Sequence, residues 1–402
     1  MKDKSLSYYK VVILGFAVYF FSYAMRLDYS ASLVAIVNDL NVSNTVASAA
    51  ITGSLITYGI GQILFGFIGD RLSPIKIISF AMLGTILVNV LVSVFSNIFV
   101  IAFLWCLNGV FQAMIWPPLC RFVAEHTRSE EYSSAITLVG LSASTGTIFV
   151  YLLVPVILNI TIWRNVFRCM AILGVIIMLV WMLLTRGLKK VNAATEQAEA
   201  KSDLSLLKII VISGLCPIFL IIISQGFLRD GIQTWLPSMI NSEFNLSESS
   251  SVLSASVLPI LSMISVLISN FIYLRIKNEL KTAAIMFTSA AVTTLPLALG
   301  APMPVFLSIF LAALISGAMH GVNHMLIALA PKRFYKYGMM STFSGILNAF
   351  TYVGASLSTY GFAAVSDNFG WGAVRILWCV VGVLGSALCF YKIKGWTKFI
   401  KE

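Results

Sequence analysis

Apolar residues run along this chain in blocks too long for the core of a soluble domain, separated by short polar gaps. A segment crossing a bilayer needs about 20 mainly apolar residues. Blocks of that kind predict helices at 11–35, 45–68, 75–97, 99–124, 133–158, 165–186, 209–239, 250–274, 280–300, 303–330, 338–366 and 371–393. They must be helices, because hydrocarbon offers an unpaired backbone group no partner. One sizeable polar stretch, 187–205 (GLKKVNAATEQAEAKSDLS), mixes both signs of charge and is poor in large apolar residues. It reads as a solvated linker. The expected architecture is an all-α membrane protein of twelve transmembrane helices, with a six-helix bundle over 1–186, the linker at 187–205 and a second bundle over 206–402.

The two halves share landmarks. Arg26 in the first helix and Arg229 in the seventh lie 203 positions apart, and Asp70-Arg71 is weakly echoed 204 positions on at Leu274-Arg275. A shared offset near half the length suggests duplicated six-helix units with a site near mid-bilayer.

Composition agrees with lipid as the solvent: 59% of residues are hydrophobic and 11% charged, whereas soluble domains carry roughly a quarter charged residues. The net charge of +11 would raise nucleic-acid binding in a soluble protein, but its distribution gives it another meaning. With loops assigned alternately to two sides, 22 of the 27 Lys and Arg residues fall on one side. Arg164, Arg168 and Arg375 fall on the other, and Arg26 and Arg229 lie within the membrane. Cationic loops stay cytoplasmic, so both termini and the central loop are expected there, in a cell (plasma or inner) membrane, with no nucleic-acid partner. The first apolar run begins near Val11, is too long for a signal-peptide core and continues past Arg26, so no cleaved signal is expected. All six cysteines sit inside apolar runs without metal or redox spacing and read as small core hydrophobes. No metal or cofactor is expected. Without a metal cluster, nucleophile elbow or phosphate loop, an enzyme is disfavoured.

Chemistry concentrates on the few polar residues inside the spans. Arg26 and Arg229 are too far from helix ends to reach the interface, and such a charge costs about 2.5–3.5 kcal/mol on insertion scales, which makes it a functional candidate. Asp28 and Asp230 are either their ion-pair partners or carriers of a coupled proton. Tyr19, Tyr23 and Arg26, spaced four and three apart, share one helix face. Tyr58 and Gln62 make a polar stripe on the second helix, and His320, Asn323 and His324 do so on the tenth. Membrane histidines serve as structural donors, ligands or proton carriers, and tyrosines also populate interfacial belts.

Gly66-Phe-Ile-Gly-Asp-Arg-Leu-Ser-Pro-Ile-Lys76, between the second and third helices, resembles the G-x-x-x-D-R signature of the major facilitator superfamily. Gly66 would let helices approach closely, and Asp70 and Arg71 could pair with charges and helix ends. On that resemblance Gly66, Asp70 and Arg71 form a conformational latch. Further blocks resemble the organophosphate:phosphate antiporters, the branch with the glycerol-3-phosphate and hexose-phosphate transporters. They are Tyr23-Ala-Met-Arg26, Tyr58-Gly59, Gly109-Val-Phe-Gln112, Trp116-Pro-Pro118 to Arg121, Leu228-Arg-Asp-Gly-Ile-Gln-Thr-Trp-Leu-Pro237, Ala330-Pro-Lys332 and Tyr352-Val-Gly354. The resemblance implies two rocking bundles and a phosphate held by Arg26 and Arg229, with Tyr19, Tyr23, Tyr58 and Tyr352 nearby. Where that family carries a pocket lysine, a helix-five histidine and a lysine beside the first arginine, this chain has Gln62, Ala143 and Leu27. The carboxylate that would pair with the last of these is replaced by Thr234.

The expected function is secondary transport of small organic anions, phosphate esters first, by exchange for phosphate or with protons. The alternatives are a proton-coupled carboxylate or sugar-acid symporter and a transporter-like receptor for a phosphorylated ligand. The expected partners are a small anionic substrate and the bilayer, with the monomer as the working unit.

Overall fold

The structure, a computed structural model, describes residues 6–42, 44–186, 188, 205–244, 257–300 and 302–401. Most of the linker at 187–205 and the start of the block expected at 250–274 lie outside the described residues. Among the described residues every regular element is helical. The first half gives α1 (Leu6–Leu40), α2 (Asn44–Arg71), α3 (Pro74–Val92), α4 (Ile98–Ala113), α5 (Trp116–His126), α6 (Tyr132–Ile160) and α7 (Trp163–Thr185). The second gives α8 (Leu206–Ser213), α9 (Cys216–Phe244), α10 (Val257–Ile276), α11 (Glu279–Ala298) and α12 (Val305–Asn323). A π turn (His324–Leu329) and a 3-10 turn (Ala330–Tyr337) prolong α12. The last stretch, Met340–Lys401, is broken at Gly370 (φ 75°, ψ 173°) into α13 (340–369) and α14 (371–401). Glycine tolerates that left-handed φ because it has no Cβ.

Ten of these segments are long and apolar enough to cross a bilayer, and α8 with α9, bent by 81°, makes an eleventh. The twelfth, α13, falls short on hydropathy because Ser, Thr, Asn and Gly interrupt it (MSTFSGILNAFTYVGASLSTY). The block expected as one helix over 99–124 is broken at Met114–Ile115, just before Pro117 and Pro118. Pro117 has no N–H to give the carbonyl of Ala113, four residues earlier. Gln62 of α2 donates its Nε2 to that carbonyl at 3.3 Å, supplying the bond the proline cannot.

The chain folds as two compact units: Met1–Lys201 with Phe334–Ile346, and Ser202–Arg333 with Leu347–Glu402. In the first, α1 packs on α6 and α7, α2 on α4, and α3 on α7. In the second, α10 packs on α12. There α9 meets α13, where Gly226 faces the Thr351 carbonyl and Gly354 the Ile223 carbonyl, and α11 meets α14 through Gly382 and Gly385. Counted as spans, first pairs with fifth, second with fourth and third with sixth in each unit. That recurrence is what duplicated six-helix units with internal repeats produce. At the far end of α1, Asp39 accepts from the Trp163 indole (2.9 Å) and from Arg164 (2.6 Å). Those two bonds hold its carboxyl below the usual carboxylate range.

Lipid supplies no hydrophobic drive between helices, so close packing through small residues does that work. At Gly109 an added Cβ would lie 2.3 Å from both the Ser54 carbonyl oxygen and the Thr57 hydroxyl oxygen, whereas at Gly140 nothing lies within 4 Å. Gly109→Ala is expected to destabilise by about 1–3 kcal/mol through overpacking, and Gly140→Ala to leave stability unchanged. Melting temperatures of the two variants in the same detergent check this, and equal values would contradict it.

Candidate functional site

In the first unit the polar face of α1 is built on aromatic rings. The Arg26 guanidinium carbon stands 4.3 Å from the Tyr23 ring centroid and 5.1 Å from that of Tyr58 on α2. Tyr19 packs edge-on against Tyr23 at 5.2 Å and lies 4.4 Å from the Trp116 ring at the start of α5. A cation over an aromatic face is attracted by the ring quadrupole, more strongly where water is scarce. The four-and-three spacing therefore does place Tyr19, Tyr23 and Arg26 together, with Tyr58 added from α2.

Two residues beside this face stood in the sequence only as family landmarks. The Ser22 hydroxyl donates to Gln112 Oε1, which leaves the buried Gln112 Nε2 without a partner. The Trp116 indole Nε1 is likewise buried and unpartnered. Unfilled buried donors cost free energy unless something accepts from them. Gln62 instead has its amide turned into the contact between α2 and the break after α4. Among the described residues Asp28 forms no ion pair. It is fully buried, its Oδ1 accepts from the Tyr29 amide at 2.8 Å, and its Oδ2 has no partner.

In the second unit the arrangement around the arginine differs. Arg229 donates from Nε and Nη2 to the two oxygens of Asp230 at 2.9 and 2.8 Å, a bidentate pair between neighbours on α9. His320 on α12 is half-buried, with Nδ1 2.9 Å from the Ser316 carbonyl oxygen and 3.1 Å from Ser262 Oγ on α10. It lies within electrostatic range of both Arg229 and Asp230. Asn323, one turn on, has a buried Oδ1 with no partner. His324 is buried and opens the π turn, a widening often found at functional sites. Tyr352 is half-buried on α13.

The Gly66 to Arg71 segment is organised around a helix end. Asp70 accepts from the Ser341 and Thr342 amides, both at 2.7 Å, at the first turn of α13. Those residues belong to Phe334–Ile346, the piece from late in the sequence that folds with the first unit. A carboxylate there satisfies orphan N–H groups and complements the positive end of the helix dipole. Gly66 permits the approach, since a Cβ would lie 2.8 Å from the Ser341 carbonyl oxygen. Arg71 is exposed and makes no ion pair among the described residues. Arg121 takes its place: Nη1 donates to the Gly69 carbonyl at 2.7 Å and Nε pairs with the buried Glu125 at 2.8 Å.

The sequence profile of the Major Facilitator Superfamily matches residues 12–359. The chain belongs to the Major Facilitator Superfamily. Its all-helical fold accords with solved superfamily members at low identity. It matches the transporter FucP in the outward conformation with a TM-score of 0.74 at 13% identity, covering 96% of this chain and 99% of that one. It matches the proton:xylose symporter XylE with a TM-score of 0.70 at 12% identity, covering 96% of each. Among curated sequences it is 26% identical over 166 residues to a probable hexose phosphate transport protein of Chlamydia pneumoniae, 40% of this chain and 36% of that one. It is also 26% identical over 180 residues to the glycerol-3-phosphate transporter of Bacillus subtilis, 44% of this chain and 40% of that one. A membrane sensor protein of Escherichia coli is 26% identical over 118 residues, 29% of this chain and 26% of that one. The matched part thus spans well under half the length of each of these relatives. As a superfamily member the protein is a multi-pass membrane protein of a class that is not enzymatic.

The Asp70 contact separates two roles within the Gly66–Arg71 motif. Asp70→Asn removes the charge and one acceptor, and is expected to destabilise by about 1–3 kcal/mol through weakened charge-assisted bonds. Arg71→Gln is expected to leave the melting temperature within about a degree of the parent, since surface changes are usually near neutral. Parallel thermal unfolding in detergent checks this, and the reverse order would contradict it.

Proposed function

We propose that this protein is a secondary active transporter of small phosphorylated organic anions that works by alternating access, in exchange for inorganic phosphate or with coupled protons. One observation carries the reading: two arginines lie within the apolar helices α1 and α9, at equivalent places in two similarly paired units. A guanidinium stays charged in a poorly solvated bundle and presents a planar fork that suits phosphate or carboxylate oxygens. The anion engages Arg26 in one unit and Arg229 in the other during transport, with Tyr19, Tyr23, Tyr58 and Tyr352 shaping its surroundings. The named activities of the chlamydial and bacillar relatives support phosphate esters as the cargo.

One specific contact favours a second reading, a proton-coupled symporter for a carboxylate or sugar acid. Asp230 already occupies the Arg229 fork, so an arriving anion competes with it, and the displaced carboxylate is a natural place to take up a proton. The third reading, a receptor for a phosphorylated ligand, draws its support from the E. coli sensor relative. In all three, Asp70 and Gly66 act as a latch on the start of α13, and both termini face the cytoplasm.

In proteoliposomes preloaded with phosphate, uptake of radiolabelled phosphate or glycerol 3-phosphate should exceed that of phosphate-free controls. Arg26→Lys and Arg229→Lys should each reduce it at least a hundredfold while the protein still inserts and melts cooperatively, because lysine cannot copy the planar fork. A lysine variant working at near parental rate would overturn the proposed role of that arginine. Uptake of a carboxylate or sugar acid driven by a pH gradient, without uptake of phosphate or its esters, would favour the symporter, and ligand binding without flux the receptor. Topology is checked separately: cysteines at Ser202 and Ser247, both outside the described residues, should label from opposite faces of the membrane.

A further inference from the structure

His320 has a defined hydrogen-bonding polarity. A carbonyl oxygen only accepts, so the 2.9 Å contact between His320 Nδ1 and the Ser316 carbonyl places the proton on Nδ1. The contact with Ser262 points the same way. The Ser262 hydroxyl donates to the Leu258 carbonyl at 2.8 Å, so its hydrogen is committed, and its oxygen can only accept from Nδ1 at 3.1 Å. Two acceptors on one nitrogen fix the neutral ring as the Nδ1–H tautomer, with a lone pair on Nε2. Nε2 makes no hydrogen bond among the described residues, and the ring is half-buried on a helix that packs against α9 and α10. The charged groups in its field are Arg229 and Asp230, both on α9.

A lone pair repels an anionic oxygen and attracts a hydroxyl. Arg229 offers donors to the anionic group; His320, on a helix packed against α9 and within electrostatic range of Arg229, offers an acceptor. We propose that His320 Nε2 accepts a hydrogen bond from a hydroxyl of the transported anion, and so selects hydroxylated anions over alkyl ones of equal charge. The proposal rests on the transport reading above. A site built to pair with a substrate hydroxyl discriminates strongly against an analogue lacking it, because its own polar group is then left unpaired.

Two measurements test it. The first needs no ligand: nitrogen-15 spectra of histidine-labelled protein at pH 7, with the three histidines (His126, His320 and His324) assigned by single substitution. His320 should show a protonated Nδ1 and an unprotonated Nε2; the opposite tautomer, or an imidazolium, would overturn the proposal. The second compares glycerol 3-phosphate with n-propyl phosphate as competitors of phosphate exchange. The parent should favour the hydroxylated ester by about tenfold, the equivalent of one hydrogen bond. His320→Phe should abolish the preference, and His320→Gln, which keeps an acceptor oxygen, should retain part of it. A preference that persists in His320→Phe sinks the idea. Absence of any phosphate exchange would count against the transport reading instead; the same comparison is then made for direct binding with glycerate against propionate. Loss of the hydroxyl preference in His320→Phe would support the proposal there too, and no preference in either pair would refute it.

Discussion

A guanidinium keeps its proton at any pH a cell reaches, and hydrocarbon cannot hydrate it. Every other polar feature inside the spans has to be compatible with that fixed charge. The chain meets the requirement in two ways. Around Arg26 it sets aromatic faces, Tyr23 from the same helix and Tyr58 from the next. Around Arg229 it sets a carboxylate from the adjacent residue, held by two parallel bonds. A face-on ring contact does not use the in-plane N–H groups, whereas a bidentate carboxylate uses two of them.

The same scarcity of water governs the backbone. A proline in a membrane helix frees a carbonyl that must find another donor, and the break before Trp116-Pro-Pro meets this with the amide of Gln62. A helix that starts within the protein exposes orphan N–H groups, and at α13 two of these go to Asp70. The Gly66–Arg71 signature and the Trp-Pro-Pro block, distant in sequence, thereby meet: Gly69 lies against Pro118 and Ser341, and the Ser341 hydroxyl donates to the Pro117 carbonyl.

Most of the helical plan was legible because hydrocarbon imposes a length and a composition on any span. Legibility failed where the backbone departs from regular helix for a tertiary reason. The break at Met114–Ile115 and the π turn at His324 lie inside apolar stretches, and α13 continues through the polar Ser366-Asp367-Asn368 to Gly370. On α1 the residues that meet were legible, because helical spacing alone puts Tyr19, Tyr23 and Arg26 on one face. The partners from elsewhere were not: Trp116 beside Tyr19, Ser262 on His320 and Arg121 in place of Arg71 depend on which helices pack together. Asp28 and Asp230 looked equivalent in sequence, each close to an arginine. Side-chain direction separates them, since residues two apart on a helix point to different faces, and Asp28 is turned into the bundle while Asp230, next to its arginine, reaches around to it.

That difference divides the recognition task between the units on the proposed function. The Arg229–Asp230 pair is locally neutral, so it adds little long-range attraction for an anion, and Asp230 already takes two of the guanidinium's five donors. Discrimination in that unit then falls to neutral polar groups, among them two acceptors on α12, His320 Nε2 by its tautomer and the unpartnered Asn323 Oδ1, and one donor on α9, the unpartnered Gln225 Nε2. In the first unit the unfilled buried groups near Arg26 are of both kinds, the donors Gln112 Nε2 and Trp116 Nε1 and the acceptors Asp28 Oδ2 and Asn108 Oδ1. Donors suit phosphate oxygens, and acceptors suit the hydroxyls of the carbon skeleton.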